Sequence, residues 1–221
     1  MRYKCLVLDH DDTVVSSTAE IHYPAFLEAL RIMRPGETIS VDDYFRYNFE
    51  PGFIEFCKGM YKMTDEEFKQ EELIWKEYVS TRVPSVYPGM KEVLDRQKEE
   101  GGLIVVSSHS FDFNIRRDYK ENSLPEPDEI FGWELPNGKR KPDPYALQVI
   151  SDKYSLKKED IVVIDDLKPG YDMARSFGVD FIGAGWCNNV PEIRAFMKAH
   201  SDRYFTDTKE LFEYLFCADF C

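Results

Sequence analysis

The sequence predicts an α/β fold: a doubly wound parallel sheet, with a block of helices inserted after the first strand. Three observations carry that reading. Six short apolar runs rich in β-branched residues alternate with helical patterns, and that alternation is the signature of parallel strands joined by crossover helices. The runs are almost continuously apolar, as strands covered on both faces must be. The gap between the first two runs is far longer than one crossover helix requires, and it carries helical periodicity of its own.

The expected strands are Tyr3–Leu8, Leu103–Val106, Glu129–Trp133, Ile161–Ile164, Asp180–Ala184 and Arg203–Phe205. Between most of them lie helical stretches at Gly89–Glu100, Ser110–Glu121, Pro144–Tyr154, Gly170–Phe177, Val190–His200 and Lys209–Phe216. Within the insertion, Ala19–Met33 sets Ile21, Phe26, Leu27, Leu30 and Met33 at helical spacing. A Pro35-Gly36 break follows, then helices over Val41–Asn48, Gly52–Tyr61 and Thr64–Thr81. Thr64 and Glu67 match a capping box at the start of the last one. The expected division is a core of residues 1–15 and 86–221 and a helical cap of residues 16–85, hinged near Val15–Ser17 and Arg82–Tyr87.

Composition narrows the function. With 43% apolar and 14% aromatic residues among 221, the chain has ample material for a buried core. A net charge of −13 argues against nucleic acid or an anionic membrane as partner. Five cysteines without a CxxC pair read as reduced thiols of a cytoplasmic protein. The N-terminus enters a strand without an apolar leader, and no apolar run is long enough to span a membrane.

Four polar clusters fall where expected strands stop: Asp9-His10-Asp11-Asp12-Thr13, Ser107-Ser108-His109-Ser110, Lys139-Arg140-Lys141-Pro142-Asp143-Pro144 just before a helix, and Asp165-Asp166. In a parallel sheet these ends share one edge, where ligands bind. Carboxylates separated by one residue resist joint ionisation without a compensating cation. A hard divalent cation held by oxygens is the natural partner, and such a site can hold a phosphate against a carboxylate nucleophile. Like unit charges ~4 Å apart repel by about 4 kcal/mol at an effective dielectric near 20, so a metal and Lys141 are needed to bring carboxylate and phosphate together.

In order and spacing the clusters resemble the four motifs of the haloacid dehalogenase superfamily: hydrophobic-DxD-x-T, Val-Val-Ser, Lys141-Pro142-Asp143-Pro144 and the Asp165-Asp166 pair. The insertion resembles the helical cap of its phosphoglycolate phosphatase and β-phosphoglucomutase branch. The resemblance implies a Rossmann-like core and an Mg²⁺-dependent phosphatase acting on a small phosphorylated metabolite through an aspartyl phosphate. Asp9 would be the nucleophile. Asp11 would be the acid and base, with its backbone carbonyl on the metal. Ser107, Ser108 and Lys141 would hold the phosphoryl group, and Asp165 and Asp166 would be metal ligands beside Asp9. A sugar phosphomutase and a non-catalytic or receiver-like phosphoacceptor domain are the alternatives, and a monomer or weak homodimer is the expected state. Asp12 stands where the family usually has Gly, His10 where it more often has an apolar residue, and Ser16 where the hinge often has Asp. His22, Arg46, Tyr47 and Glu50 are the candidate selectivity residues of the cap.

Overall fold

In a computed structural model, which describes residues 1–217, the strands form one sheet in the order β3-β2-β1-β4-β5-β6. The strands are β1 (Cys5–Leu8), β2 (Leu103–Ser107), β3 (Glu129–Phe131), β4 (Ile161–Asp165), β5 (Asp180–Ala184) and β6 (Arg203–Phe205). Every described pairing is parallel. Six core helices cover the two faces: α5 (Met90–Glu99), α6 (Asp112–Glu121), α7 (Tyr145–Tyr154), α8 (Lys168–Phe177), α9 (Pro191–His200) and α10 (Thr208–Phe216).

Strand alternation sorts the core into two layers. Leu6, Leu8, Ile104, Val106, Val162 and Ile164 pack on one face, and Val7, Val105 and Val163 on the other. Because period two sends alternate side chains to opposite faces, residues that continue the second set inherit its direction. Leu8 pairs with Val106 on one side and Ile164 on the other, so the next step brings Asp9, Ser107 and Asp165 level on that second face.

The inserted segment contains α1 (Tyr23–Met33), α2 (Val41–Phe49), the single turn α3 (Phe53–Glu55) and α4 (Asp65–Thr81). Its own core is aromatic: Phe26 lies 5.1 Å from Phe56, 5.4 Å from Tyr44 and 5.7 Å from Tyr61, ring centre to ring centre. The Thr64–Glu67 capping box forms as expected. Two expected helices are interrupted. Residues 18–22 make a π-helical turn before α1, and residues 56–60 make another after α3; hydrophobic spacing does not distinguish a wider turn from an α-turn.

The two linkers run side by side. Val15 bridges Val86 in antiparallel fashion, Ser16 donates to the Ser85 carbonyl at 2.8 Å, and Tyr87 donates to that of Val14 at 3.1 Å. On the far side α2 meets α9. Phe49 packs edge-on to Phe196 at 5.4 Å, Arg46 lies 3.6 Å from Glu192, and Glu50 pairs with Lys168. Tyr47 stacks on Phe56 inside the insertion. Three of the four candidate selectivity residues therefore serve the seam or the inserted core.

One acid is out of keeping with its surroundings. Glu71 on α4 is 3% exposed, and burial, with Glu72 adding to it against the pull of His22, pushes its carboxyl up to about 7 from an ordinary 4.5. The native state then binds more protons than the unfolded chain between those values, so this group makes stability fall as pH rises through that window. Relative to wild type, Glu71→Gln should gain about 3 kcal/mol of unfolding free energy between pH 4 and pH 8, measurable by urea titration across that range; parallel pH profiles for the two proteins would contradict the assignment.

Candidate active site

β1 ends at Leu8, and the ladder runs one bond further, from the Asp9 N–H to the Ile164 carbonyl at 2.9 Å. Asp9 is thereby fixed at the strand end. β4 delivers Asp165 beside it and Asp166 one residue on. One oxygen from each of Asp9, Asp165 and Asp166 lies within 4.8 Å of the others. The Lys141 ammonium enters from the loop before α7 and contacts Asp165 Oδ2 at 2.5 Å and Asp9 Oδ1 at 2.9 Å. The second contact is an ion pair without hydrogen-bond alignment, so Asp9 Oδ1 stays buried and unbonded.

Charge in this cluster is unbalanced. Burial raises Asp165 to about 6 against the pull of Lys141, and burial together with Asp12, Asp165 and Asp9 raises Asp166 well above the carboxylate range. Burial lowers Lys141, but Asp165 and Asp9 more than reverse it. One ammonium among these acids leaves negative charge uncompensated. Hard oxygen donors, an unbonded Asp9 oxygen and a deficit of positive charge fit a divalent cation such as Mg²⁺.

Asp165 is held from three sides: by Lys141, by the Leu167 N–H at 2.8 Å, and by the backbone of Gly170. A Cβ at residue 170 would lie 2.2 Å from Asp165 Oδ2, so α8 can approach this closely only with glycine there. Asp166 receives a long bond from the Thr13 hydroxyl at 3.4 Å, and Cys187 Sγ lies 3.8 Å from its other oxygen.

The Asp11 side chain lies outside the three-acid cluster and turns to the insertion. It is bonded to His22 Nε2 at 3.3 Å and accepts from the Ser110 hydroxyl. Trp75 Nε1, which can only donate, bonds His22 Nδ1 at 2.9 Å. Nδ1 must therefore be the acceptor, and Nε2 carries the hydrogen that faces Asp11. Burial pushes Asp11 up, but the bond and charge of His22 and the Ser110 bond outweigh it and hold the carboxyl well below its usual range. His22 is drawn upward by the same contact against burial, while a proton on Nδ1 would cost the Trp75 bond.

The departures from the family pattern have structural answers. Asp12 has φ of +58°, a left-handed conformation that Asp tolerates better than most side chains. Its carboxylate is buried, accepting from the Thr18 N–H at 3.1 Å and the Tyr87 hydroxyl at 3.4 Å. Burial carries it up to about 7 against the Thr18 bond. His10 is buried too, bonded to Asp118 at 3.1 Å and stacked on Tyr119.

Among the expected phosphate residues, Lys141 joins the acids. Ser107 and Ser108 are buried at the end of β2, Ser107 directed at Met173 Sδ (3.8 Å) and Ser108 accepting from the Ser110 N–H (3.2 Å). His109 bonds the Lys141 carbonyl at 3.1 Å and so supports the lysine-bearing loop. Trp75 and Gly170 carry no local signal in the sequence, and Ser110, although part of the second polar cluster, gives no sign there of its bond to Asp11, because these roles depend on long-range packing. His22, a candidate selectivity residue, is bonded to Asp11. Of the five cysteines, Cys221 lies outside the described residues, and Cys5, Cys57, Cys187 and Cys217 are free thiols. No helix among the described residues is long and apolar enough to cross a membrane.

Comparison with known proteins bears on the family and the fold. Residues 6–184 match the family model for haloacid dehalogenase-like hydrolases. A predicted phosphoglycolate phosphatase from Haemophilus somnus superposes with a TM-score of 0.77 at 19% identity, over 97% of this chain and 98% of that one. A haloacid dehalogenase-like hydrolase from Bacteroides fragilis gives 0.76 at 21% identity, over 95% and 99%. CbbY from Rhodobacter sphaeroides, in complex with xylulose-(1,5)bisphosphate, gives 0.71 at 16% identity, over 95% and 96%. No curated protein matches the sequence.

Lys141 is the cation that keeps Asp9 and Asp165 together. Lys141→Met should cost about 3–5 kcal/mol, the penalty for leaving buried carboxylates unpaired. Asp165→Asn in the same chain should recover more than half of that loss; additive losses in the urea-unfolding cycle would show that the pair is not coupled.

Proposed function

The chain belongs to the haloacid dehalogenase-like hydrolases, and on that premise we propose that it is a phosphatase hydrolysing a small phosphorylated metabolite through an aspartyl phosphate on Asp9. The observation that carries the reading is the separation of two acids with a single residue between them. Asp9 lies among Lys141, Asp165 and Asp166, whereas Asp11 is held apart by His22 and Ser110. That separation supports a nucleophile beside positive charge in Asp9 and a proton carrier in Asp11.

Asp9 attacks phosphorus, the bond to the ester oxygen breaks, and Asp11 gives that oxygen its proton. Water then attacks the phosphoryl group on Asp9, Asp11 takes a proton from it, and phosphate leaves with Asp9 restored. In the free protein the His22 and Ser110 bonds favour ionised Asp11, the form needed for the second half. An arriving phosphate dianion raises its pKa and equips it as the acid of the first half. Lys141, Ser107 and Ser108 hold the phosphoryl oxygens. Asp9, Asp165, Asp166 and the Asp11 carbonyl would hold Mg²⁺, which when bound supplies positive charge against the phosphoryl group. Residues 16–85 act as the cap that excludes water and admits substrate by hinging at the paired linkers. Its free thiols suit the cytoplasm, and a monomer or weak homodimer suffices because every group invoked comes from one chain.

Phosphate release from a panel of small phosphate esters should require Mg²⁺ and should fall by about 10³-fold or more in Asp9→Asn. Turnover that survives the substitution, or that chelation of the metal leaves unchanged, would overturn the proposal.

A further inference from the structure

The mechanism above makes no use of Glu71. It sits on α4 one turn before Trp75, and residues four apart project from one face of a helix. Trp75 bonds His22, His22 bonds Asp11, and the Trp75 ring also lies 6.2 Å from Phe111 at the start of α6. That face of α4 thus looks onto the seam above the proton site. The helix ends near the hinge, where the Val79 carbonyl accepts from Arg117. Four residues at 1.5 Å each set Glu71 about 6 Å farther from the hinge than Trp75; its charge is felt by Tyr44, which also senses Asp12, and His22 acts on it in turn.

No described residue forms a hydrogen bond or ion pair with this carboxylate. Helix packing alone would favour an apolar side chain there, as at Ile74 and Val79 on the same helix, because an uncompensated buried carboxylate is costly. Several cations of the insertion are committed elsewhere: Arg34 to Glu67, Arg46 to Asp43 and Glu192, Lys58 to Asp65.

We propose that Glu71 is a specificity residue: it accepts a hydrogen bond from a hydroxyl or ammonium group on the leaving-group half of the substrate and rejects a carboxylate there. The inference rests on the phosphatase reading and names the substrate class. A donor-bearing leaving group completes the bonding of a buried acceptor, best of all when the donor is charged. A carboxylate-bearing one meets like charge with no counter-ion.

The test is phosphate release by the full chain with Mg²⁺ on four esters: O-phosphoethanolamine, glycerol 3-phosphate, 2-phosphoglycolate, and p-nitrophenyl phosphate, which offers no donor. Wild type should prefer one or both donor esters to 2-phosphoglycolate by about tenfold or more in kcat/KM. Glu71→Gln should lose about tenfold on O-phosphoethanolamine, mainly through KM, and stay within about twofold on p-nitrophenyl phosphate. Glu71→Lys, checked for folding by circular dichroism, should gain on 2-phosphoglycolate. A wild-type preference for 2-phosphoglycolate, or an equal loss on all esters in Glu71→Gln, would overturn the proposal and leave the phosphatase reading standing. Failure of wild type to hydrolyse any of the four, p-nitrophenyl phosphate included, would remove both.

Discussion

The structure depends on a single ammonium group shared between the ends of two central strands. Lys141 touches Asp9 at the end of β1 and Asp165 at the end of β4, and these strands are neighbours at the middle of the sheet. Without it, two carboxylates would face each other in a buried space. With it, the cluster still carries more acid than base, a deficit of positive charge that a bound cation would fill. The chain's overall acidity makes this local arrangement necessary: long-range electrostatics would turn a phosphate ester away.

Support for that ammonium is distributed. His109 bonds the Lys141 carbonyl, and Gly170 leaves space for the Asp165 carboxylate. On the opposite side of Asp11, the insertion supplies His22 and Trp75. The site is therefore assembled from two layers that meet at Asp11. One is rigid, built on the sheet and its register. The other hangs from two linkers and a seam of aromatic and charged contacts around Phe49, Phe196, Glu50 and Lys168. Asp12 ties the layers together, because its carboxylate reaches both Thr18 at the start of the insertion and Tyr87 at its return.

Much of this was legible in the sequence, for identifiable reasons. Buried parallel strands must be apolar on both faces, so β1, β2 and β4 announce themselves within a residue or two, and their register brings Asp9, Ser107 and Asp165 level. The Thr64 cap could be read because a capping box is local. What could not be read was any contact made across the insertion. Nothing near Trp75 in the chain indicates that its indole orients an imidazole 53 residues away, and nothing near Ser110 points to Asp11. Arg46, Tyr47 and Glu50 are polar residues in the right segment, yet α2 packs so that they face Glu192, Phe56 and Lys168 instead. Helical periodicity tells which face of a helix is apolar, but not which neighbour that face will meet.

The π-turn at residues 18–22 has a bearing on how this architecture can vary. A π-turn accommodates one residue more than an α-turn over the same advance, and each residue of an α-helix rotates the side-chain direction by about 100°. His22 therefore owes its heading to that surplus residue. Were the turn to revert to α-helical spacing by loss of one residue, everything before it would shift in phase, and the imidazole could not keep both Asp11 and Trp75 in reach. Loss or gain of a single residue at this point is thus a mutation of orientation, able to detach the Asp11 carboxylate from its support while every side chain around it remains present.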